Sequence, residues 1–142
     1  MPVKLSVKRL HADAVLPSLG HPESAGCDLY AAKDDFVAAH GKAVIPTGIA
    51  IELPAGTYGR VANRSSMSVR NHIQVAAGVI DPGYTGEIGV VLFNHSSKDY
   101  MIRKHDRVAQ LILESFQTPT VVEVDELGPS ARGDQGFGST GS

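Results

Sequence analysis

Cysteine is nearly absent from this 142-residue chain, and tryptophan is missing altogether. With Cys27 alone, no intrachain disulfide can form, which excludes a disulfide-stapled scaffold. No apolar run approaches the roughly 20 residues that a membrane-spanning helix needs. Neither charge sign is in large excess: 13 lysines and arginines face 15 acidic residues, for a formal charge of −2. A strongly basic surface for nucleic acid or acidic lipid is therefore not expected. The N-terminal stretch alternates charged and apolar residues and lacks the continuous apolar segment of a secretory leader. The expectation is an intracellular protein of the cytoplasm or nucleus, with no membrane and no direct nucleic-acid partner.

Glycine and proline, by contrast, are plentiful, at 15 and eight residues. An interior glycine costs a helix about 1 kcal/mol and a proline about 3, so a helical bundle is excluded. A chain that is 42% hydrophobic and 20% charged is not disordered, and its length suits one domain.

Period-two patterning recurs in short pieces, which is the signature of half-buried strands. Val3, Leu5 and Val7 alternate with polar residues, as do Ile49, Ile51 and Leu53. Ile73 to Ile80 and Ile88 to Phe93 predict better-buried strands, and Leu111 with Leu113 and Val121 to Val124 predict two more. Turn signals separate them, among them His40-Gly41, Pro54-Ala55-Gly56 and Asp81-Pro82-Gly83. The predicted fold is all-β, a jelly-roll-like barrel or sandwich, with one short helix near Ser65 to Asn71. One domain is expected over residues 1–127, followed by a flexible glycine-rich tail over 128–142.

Four polar clusters and this tail are where chemistry could reside. Between Arg132 and Gly141 lie four glycines, two hydroxyls, a cation and the ring of Phe137. Backbone N–H groups freed by glycine can converge on phosphate oxygens, Arg132 can fork onto a phosphate, and Phe137 can stack on a base. Gly136 to Gly141 also fits G-x-G-x-x-G, but the helix and acidic residue required of a dinucleotide fingerprint do not follow. A plain solubilising Gly/Ser tail is the alternative. In the segment from Ala77 to Asn94, Asp81 can orient or deprotonate a water, or else the segment is an ordinary hairpin turn. Asn63 or Ser65 can cap the short helix, with Arg64 beside its first amides. Asp106 to Gln110 carries polar groups into a strand, where a salt-bridged edge is the alternative. Asp28 is a candidate for Mg²⁺ chemistry or a turn carboxylate, and Cys27 is expected to be a buried thiol. The six histidines show no zinc-binding spacing.

In chain order, AGCDLYAA, GRVANRSSMS, GVIDPGYTGEI, DRVAQLI and RGDQGFGSTG resemble the five ordered motifs of the trimeric deoxyuridine triphosphatase family. The resemblance runs from about Ala25 to Gly141. It implies a jelly roll assembled as a homotrimer, with dUTP and Mg²⁺ at three active sites shared between subunits. It implies hydrolysis to dUMP and pyrophosphate through attack of water on the α-phosphorus. Asp81 matches the water-activating position, and Arg64, Ser65, Ser66 and Gln110 match phosphate-binding positions. Asp28 matches the residue that supports the metal's water shell, the metal itself resting mainly on substrate phosphates. Gly78 and Gly89 match the backbone that reads uracil, and Tyr84 the ring packed on deoxyribose. Arg132, Gly138, Ser139 and Thr140 match the phosphate-binding positions of the tail, and Phe137 the ring over uracil. The chain departs from the usual pattern at Cys27, Asn63, Ser66, Gly83 and His105. Two other readings compete: a scaffold of the same fold that signals through its surface, and a deaminase of the same fold acting on dCTP.

Overall fold

The computed structural model describes residues 2–138. Two four-stranded antiparallel sheets form a sandwich, and the described residues do not close into a barrel. The first sheet runs β1 (Ser6–Arg9), β4 (Lys42–Glu52), β8 (Glu87–Asn94), β6 (Ile73–Ala76). The second runs β2 (Cys27–Tyr30), β10 (Arg107–Ser115), β5 (Thr57–Ala62), β7 (Val79–Ile80). A two-stranded sheet pairs β3 (Asp35–Val37) with β9 (Tyr100–Ile102), and one short helix, α1, spans Ser65–Asn71.

Alternation in β8 shows how the layers are made. Ile88, Val90, Leu92 and Asn94 point inward and are buried, while the residues between them are not. Ile88, Val90 and Leu92 join Ile45, Ile49 and Ile51 of β4 and, from the opposite sheet, Leu29, Val61 and Leu111 in one aliphatic core. Each such side chain contributes about 1.5–3 kcal/mol on burial. The two buried polar side chains are satisfied. Asn94 donates to the Val37 and Lys98 carbonyls at 3.0 and 2.8 Å, and Thr47 donates to the Ile88 carbonyl at 2.6 Å.

Three strand expectations need correction. The strand around Ile49 begins much earlier, at Lys42, because the register shift between Pro46 and Ala50 and the left-handed Gly48 interrupt the alternation. Val121 to Val124 form no strand: the segment is exposed and pairs with no neighbouring strand among the described residues. The apolar run from Ile73 to Ile80 is two strands in different sheets.

That last division matters most. Ala77 and Gly78 both take positive φ, at 59° and 85°, and swing the chain from the edge of the first sheet to the edge of the second. The Gly78 carbonyl accepts from the Val61 amide at 2.8 Å, and a Cβ on Gly78 would lie 2.8 Å from the Val61 carbonyl oxygen. Gly78→Ala is therefore expected to cost about 1–3 kcal/mol in backbone strain. A lowered urea midpoint would measure it; an unchanged midpoint would show that the crossing relaxes freely.

Candidate functional site

Because β7 pairs with β5 and not with β8, the segment flanking Asp81 to Gly86 is no closed hairpin. Its arms separate and wall a cleft of about 240 Å³, lined by Ala77 to Asp81, Tyr84 and Glu87 to Gly89, with Val61 also at its wall. Asp81, Gly78, Tyr84 and Gly89 are thus brought together. The turn holds its shape through the Tyr84 amide, which donates to the Asp81 carbonyl at 3.0 Å, and the Tyr84 hydroxyl, which donates to the Glu87 carbonyl at 2.6 Å. Gly86 makes the second bond possible, since a Cβ there would lie 2.7 Å from that hydroxyl. Gly89 has a packing reason as well, because its Cβ would lie 2.8 Å from a methyl of Val44. Glu87 accepts from the Gly48 amide at 2.9 Å and ties the mouth of the cleft to the bulge of β4. Gly83 has open space around it and ordinary φ, so this departure carries no steric demand.

A second cleft, of about 320 Å³, gathers Asp28, Arg64, Ser65, Ser66 and Gln110. Asp28 on β2 stands directly opposite Gln110 on β10, which in turn stands opposite Ala62 at the end of β5. Gln110 donates to the Asn63 carbonyl at 2.8 Å. The Asp28 carboxylate, 16% exposed, lies between two guanidinium groups, with Arg64 Nε 3.5 Å from one oxygen and Arg107 Nε 3.5 Å from the other. One carboxylate between two arginines leaves an excess of positive charge, suited to a polyanion.

Arg107 carries no role in the sequence reading, although it stands only three residues before Gln110. Three residues apart on a regular strand means opposite faces. The register shift between Arg107 and Ala109 breaks that rule and brings Arg107 onto Asp28. The strand it opens is interior to its sheet, so the edge alternative is also set aside. Gly26, likewise missed, leaves room for Gln110: a Cβ there would lie 2.9 Å from the Gln110 Oε1 and 3.0 Å from the Leu111 carbonyl. Gly26→Ala should push the Gln110 amide aside and raise the KM for a phosphate substrate at least about tenfold, the worth of one hydrogen bond to a charged group. An unchanged KM would remove Gln110 from phosphate binding.

Neither predicted cap operates on α1. Arg64 occupies the N-cap position, without a side-chain cap bond, and Asn63 instead accepts from the Val75 amide at 2.6 Å. This bond stitches the loop to β6 of the opposite sheet. Ser66 lies within the helix with ordinary φ, so glycine's freedom is not needed there. His105 does take a left-handed φ of 72°, and its amide donates to the Ala31 carbonyl at 2.8 Å while its ring reaches the Asp13 carbonyl at 3.1 Å. Cys27 is half-buried, not buried, and burial followed by the neighbouring Asp28 pushes its thiol pKa up.

Among the described residues, none of the tail lines either cleft. Every residue from Ser115 to Gln135 is exposed, and Phe137 is fully so. Arg132 donates to the nearby Gln135 carbonyl at 2.5 Å, and Gly138 has a left-handed φ of 86°. Ser139 and Thr140 lie outside the described residues. No described helix is long and apolar enough to cross a membrane.

A β sandwich bearing these clefts is of the jelly-roll class that the motif order implies. A family profile described as dUTPase matches residues 12–141. The chain is 54% identical over 135 residues to the deoxyuridine 5'-triphosphate nucleotidohydrolase of Arabidopsis thaliana, covering 95% of this chain and 81% of that one. With the nucleotidohydrolase of Saccharomyces cerevisiae it shares 50% identity over 139 residues, covering 97% and 95%. A similar relative in Dictyostelium discoideum is described as mitochondrial. Among solved structures, a Staphylococcus bacteriophage 80alpha dUTPase mutant with dUpNHpp superposes with a TM-score of 0.91 at 30% identity, covering 98% of this chain and 99% of that one. A phage phi11 dUTPase mutant, which coordinates a structural Mg(II) ion, superposes with a TM-score of 0.81 at 28% identity over 87% and 97%. The chain belongs to the dUTPase family, and it is a hydrolase.

Proposed function

We propose that this protein hydrolyses dUTP to dUMP and pyrophosphate in a homotrimer whose active sites are shared between subunits. The observation that carries the shared site is the separation of its parts. Asp81 and Tyr84 line one cleft, Asp28, Arg64 and Gln110 line another with no residue in common, and no described residue of the tail lines either. A neighbouring copy can complete each cleft with what a single chain keeps apart.

In this reading Arg64, Arg107, Ser65, Ser66 and Gln110 hold the triphosphate. Asp81 takes a proton from the attacking water as its oxygen bonds to the α-phosphorus. The bond from the α-phosphorus to the α–β bridging oxygen breaks, and pyrophosphate leaves with that oxygen. Backbone groups near Gly78 and Gly89 pair with the uracil edge, and each group left unpaired by a wrong base costs about 1–3 kcal/mol. The ring of Tyr84 excludes a 2′-hydroxyl. The tail then covers the nucleotide, with Phe137 over the base and Arg132, Gly138, Ser139 and Thr140 on the phosphates, so that bulk water is displaced.

The residues fit a Mg²⁺ ion carried by the substrate. Both oxygens of Asp28 already face arginines, and among the described residues no group of three His, Cys, Asp or Glu side chains could cage a metal. Asp28 would reach the ion through water, and the ion would neutralise charge on the triphosphate. The product dUMP supports dTMP synthesis, and removal of dUTP limits uracil in DNA. Both roles suit the intracellular location expected from the sequence.

Incubation with Mg²⁺ and dUTP, dCTP, dTTP or UTP tests the reaction. Pyrophosphate release confined to dUTP is expected, and ammonia from dCTP would overturn the reading in favour of a deaminase. Mixing inactive Asp81→Asn and Arg64→Ala chains tests the sharing. Activity should reappear in mixed trimers if the two clefts act together across subunits.

A further inference from the structure

A cluster outside both clefts stands where the tail leaves the body. Glu114 on β10 is directly opposite Tyr58 on β5, and Arg60 is two positions further along the same face. Glu114 accepts from both: one oxygen from the Tyr58 hydroxyl, the other from Arg60 Nε at 2.7 Å. Two residues on, the Phe116 ring meets Tyr58 edge-on, with centroids 5.8 Å apart and planes at 87°. The Phe116 amide donates to the Gly56 carbonyl at 3.3 Å, and β10 pairs with β5 no further than Ser115. From Gln117 to Gln135 the chain is exposed throughout.

Stability is a poor explanation for this cluster. An exposed ion pair contributes about 0–1 kcal/mol, and the side chains of Arg60 and Glu114 are 46% and 35% exposed. The network instead fixes a direction, since two bonds on one carboxylate and an edge-on ring hold the last residues of β10 in one pose. We infer that Tyr58, Arg60, Glu114 and Phe116 are positioning residues, a fixed root that aims the tail at the site it covers. This inference rests on the proposed closure of the tail over substrate. The bonds from Tyr58 and Arg60, in that order, also hold the Glu114 carboxyl below the usual carboxylate range, so the anion that anchors the root is favoured.

The physical reason is tether length. Arg132 lies sixteen positions beyond Phe116. A flexible linker of that length has a root-mean-square span of about 20–24 Å. The effective concentration of its far end at a fixed site depends on where its near end starts and on how much chain is free beyond it. A root that frays frees more chain and lets its start point wander, which lowers that concentration.

Arg132 is the only lysine or arginine after Arg107, so trypsin reads the tail at a single bond. In the full-length protein, dUpNHpp with Mg²⁺ should slow cleavage after Arg132. In Tyr58→Phe and Glu114→Gln that protection should fall at least about threefold, with kcat for dUTP falling more than KM rises, and the urea midpoint should hold. Phe116→Leu gives the same reading should either variant fail to fold. Full protection with unchanged kcat in the folded variants would overturn the inference, as would a lowered urea midpoint with protection and kcat intact. If dUpNHpp fails to protect the wild-type tail, closure itself is wrong and the root falls with it. That outcome differs from a defect confined to the variants.

Discussion

Asp81→Asn is expected to lose about 10²–10⁴-fold in kcat, the usual worth of a positioned general base, while dUTP still binds. The structure makes this substitution clean. The hydrogen bond that shapes the turn uses the Asp81 backbone carbonyl, which the variant keeps. Among the described residues its carboxylate has no hydrogen-bond or ion-pair partner, so the amide strands no other group and the fold should be untouched. Calorimetric titration with dUpNHpp should give near wild-type affinity, and a coupled pyrophosphate assay should give the loss in kcat. A variant that keeps most of its kcat would remove Asp81 from proton abstraction.

Removal of residues 132–142 is expected to lower kcat/KM at least about 100-fold, comparable with losing one preorganised charge-stabilising donor. The fold should survive, because the buried core draws nothing from beyond β10 and residues 115–135 are exposed. The urea midpoint and the oligomer mass in solution should match those of the full chain. If the truncated protein unfolds or dissociates, the tail is a structural strap and its proposed role on the phosphates is lost. The two experiments separate the chemistry proposed for Asp81, with binding intact, from the closure proposed for the tail, with the body intact.

Much of the fold was legible along the chain. Alternation in Ile88 to Phe93 and in the residues around Leu111 marked real strands, and the helix lies where Ser65 to Asn71 predicted it. Alternation is a local property, repeated every two residues wherever one face of a sheet is buried. It fails where the backbone breaks period two. Ala77-Gly78 turned one apparent strand into two, and the bulges at Pro46 to Ala50 and Arg107 to Ala109 hid the length of β4 and the facing of Arg107. Val121 to Val124 has the composition of a strand and no strand beside it, since pairing needs a partner edge as well as a sequence.

The candidate site divides in the same way. Ordered motifs marked Asp28, Arg64, Asp81, Tyr84 and Gln110, because each motif is a short stretch whose residue types suit one piece of chemistry. Arg107, Gly26 and Gly86 did not stand out, for their roles are relations to residues far along the chain or to a turn's exact path: Arg107 to Asp28, Gly26 to Gln110, Gly86 to the Tyr84 hydroxyl.

By itself, then, the sequence determined that the protein is all-β, without an intrachain disulfide and a member of a nucleotide-hydrolysing family. Composition, periodicity and motif order suffice for those. Only the tertiary structure decided that the two clefts are separate and that a carboxylate is clamped between two arginines. It also decided that Tyr58, Arg60, Glu114 and Phe116 meet where β10 ends. Those follow from strand register and bulges, which bring together residues that no local pattern connects.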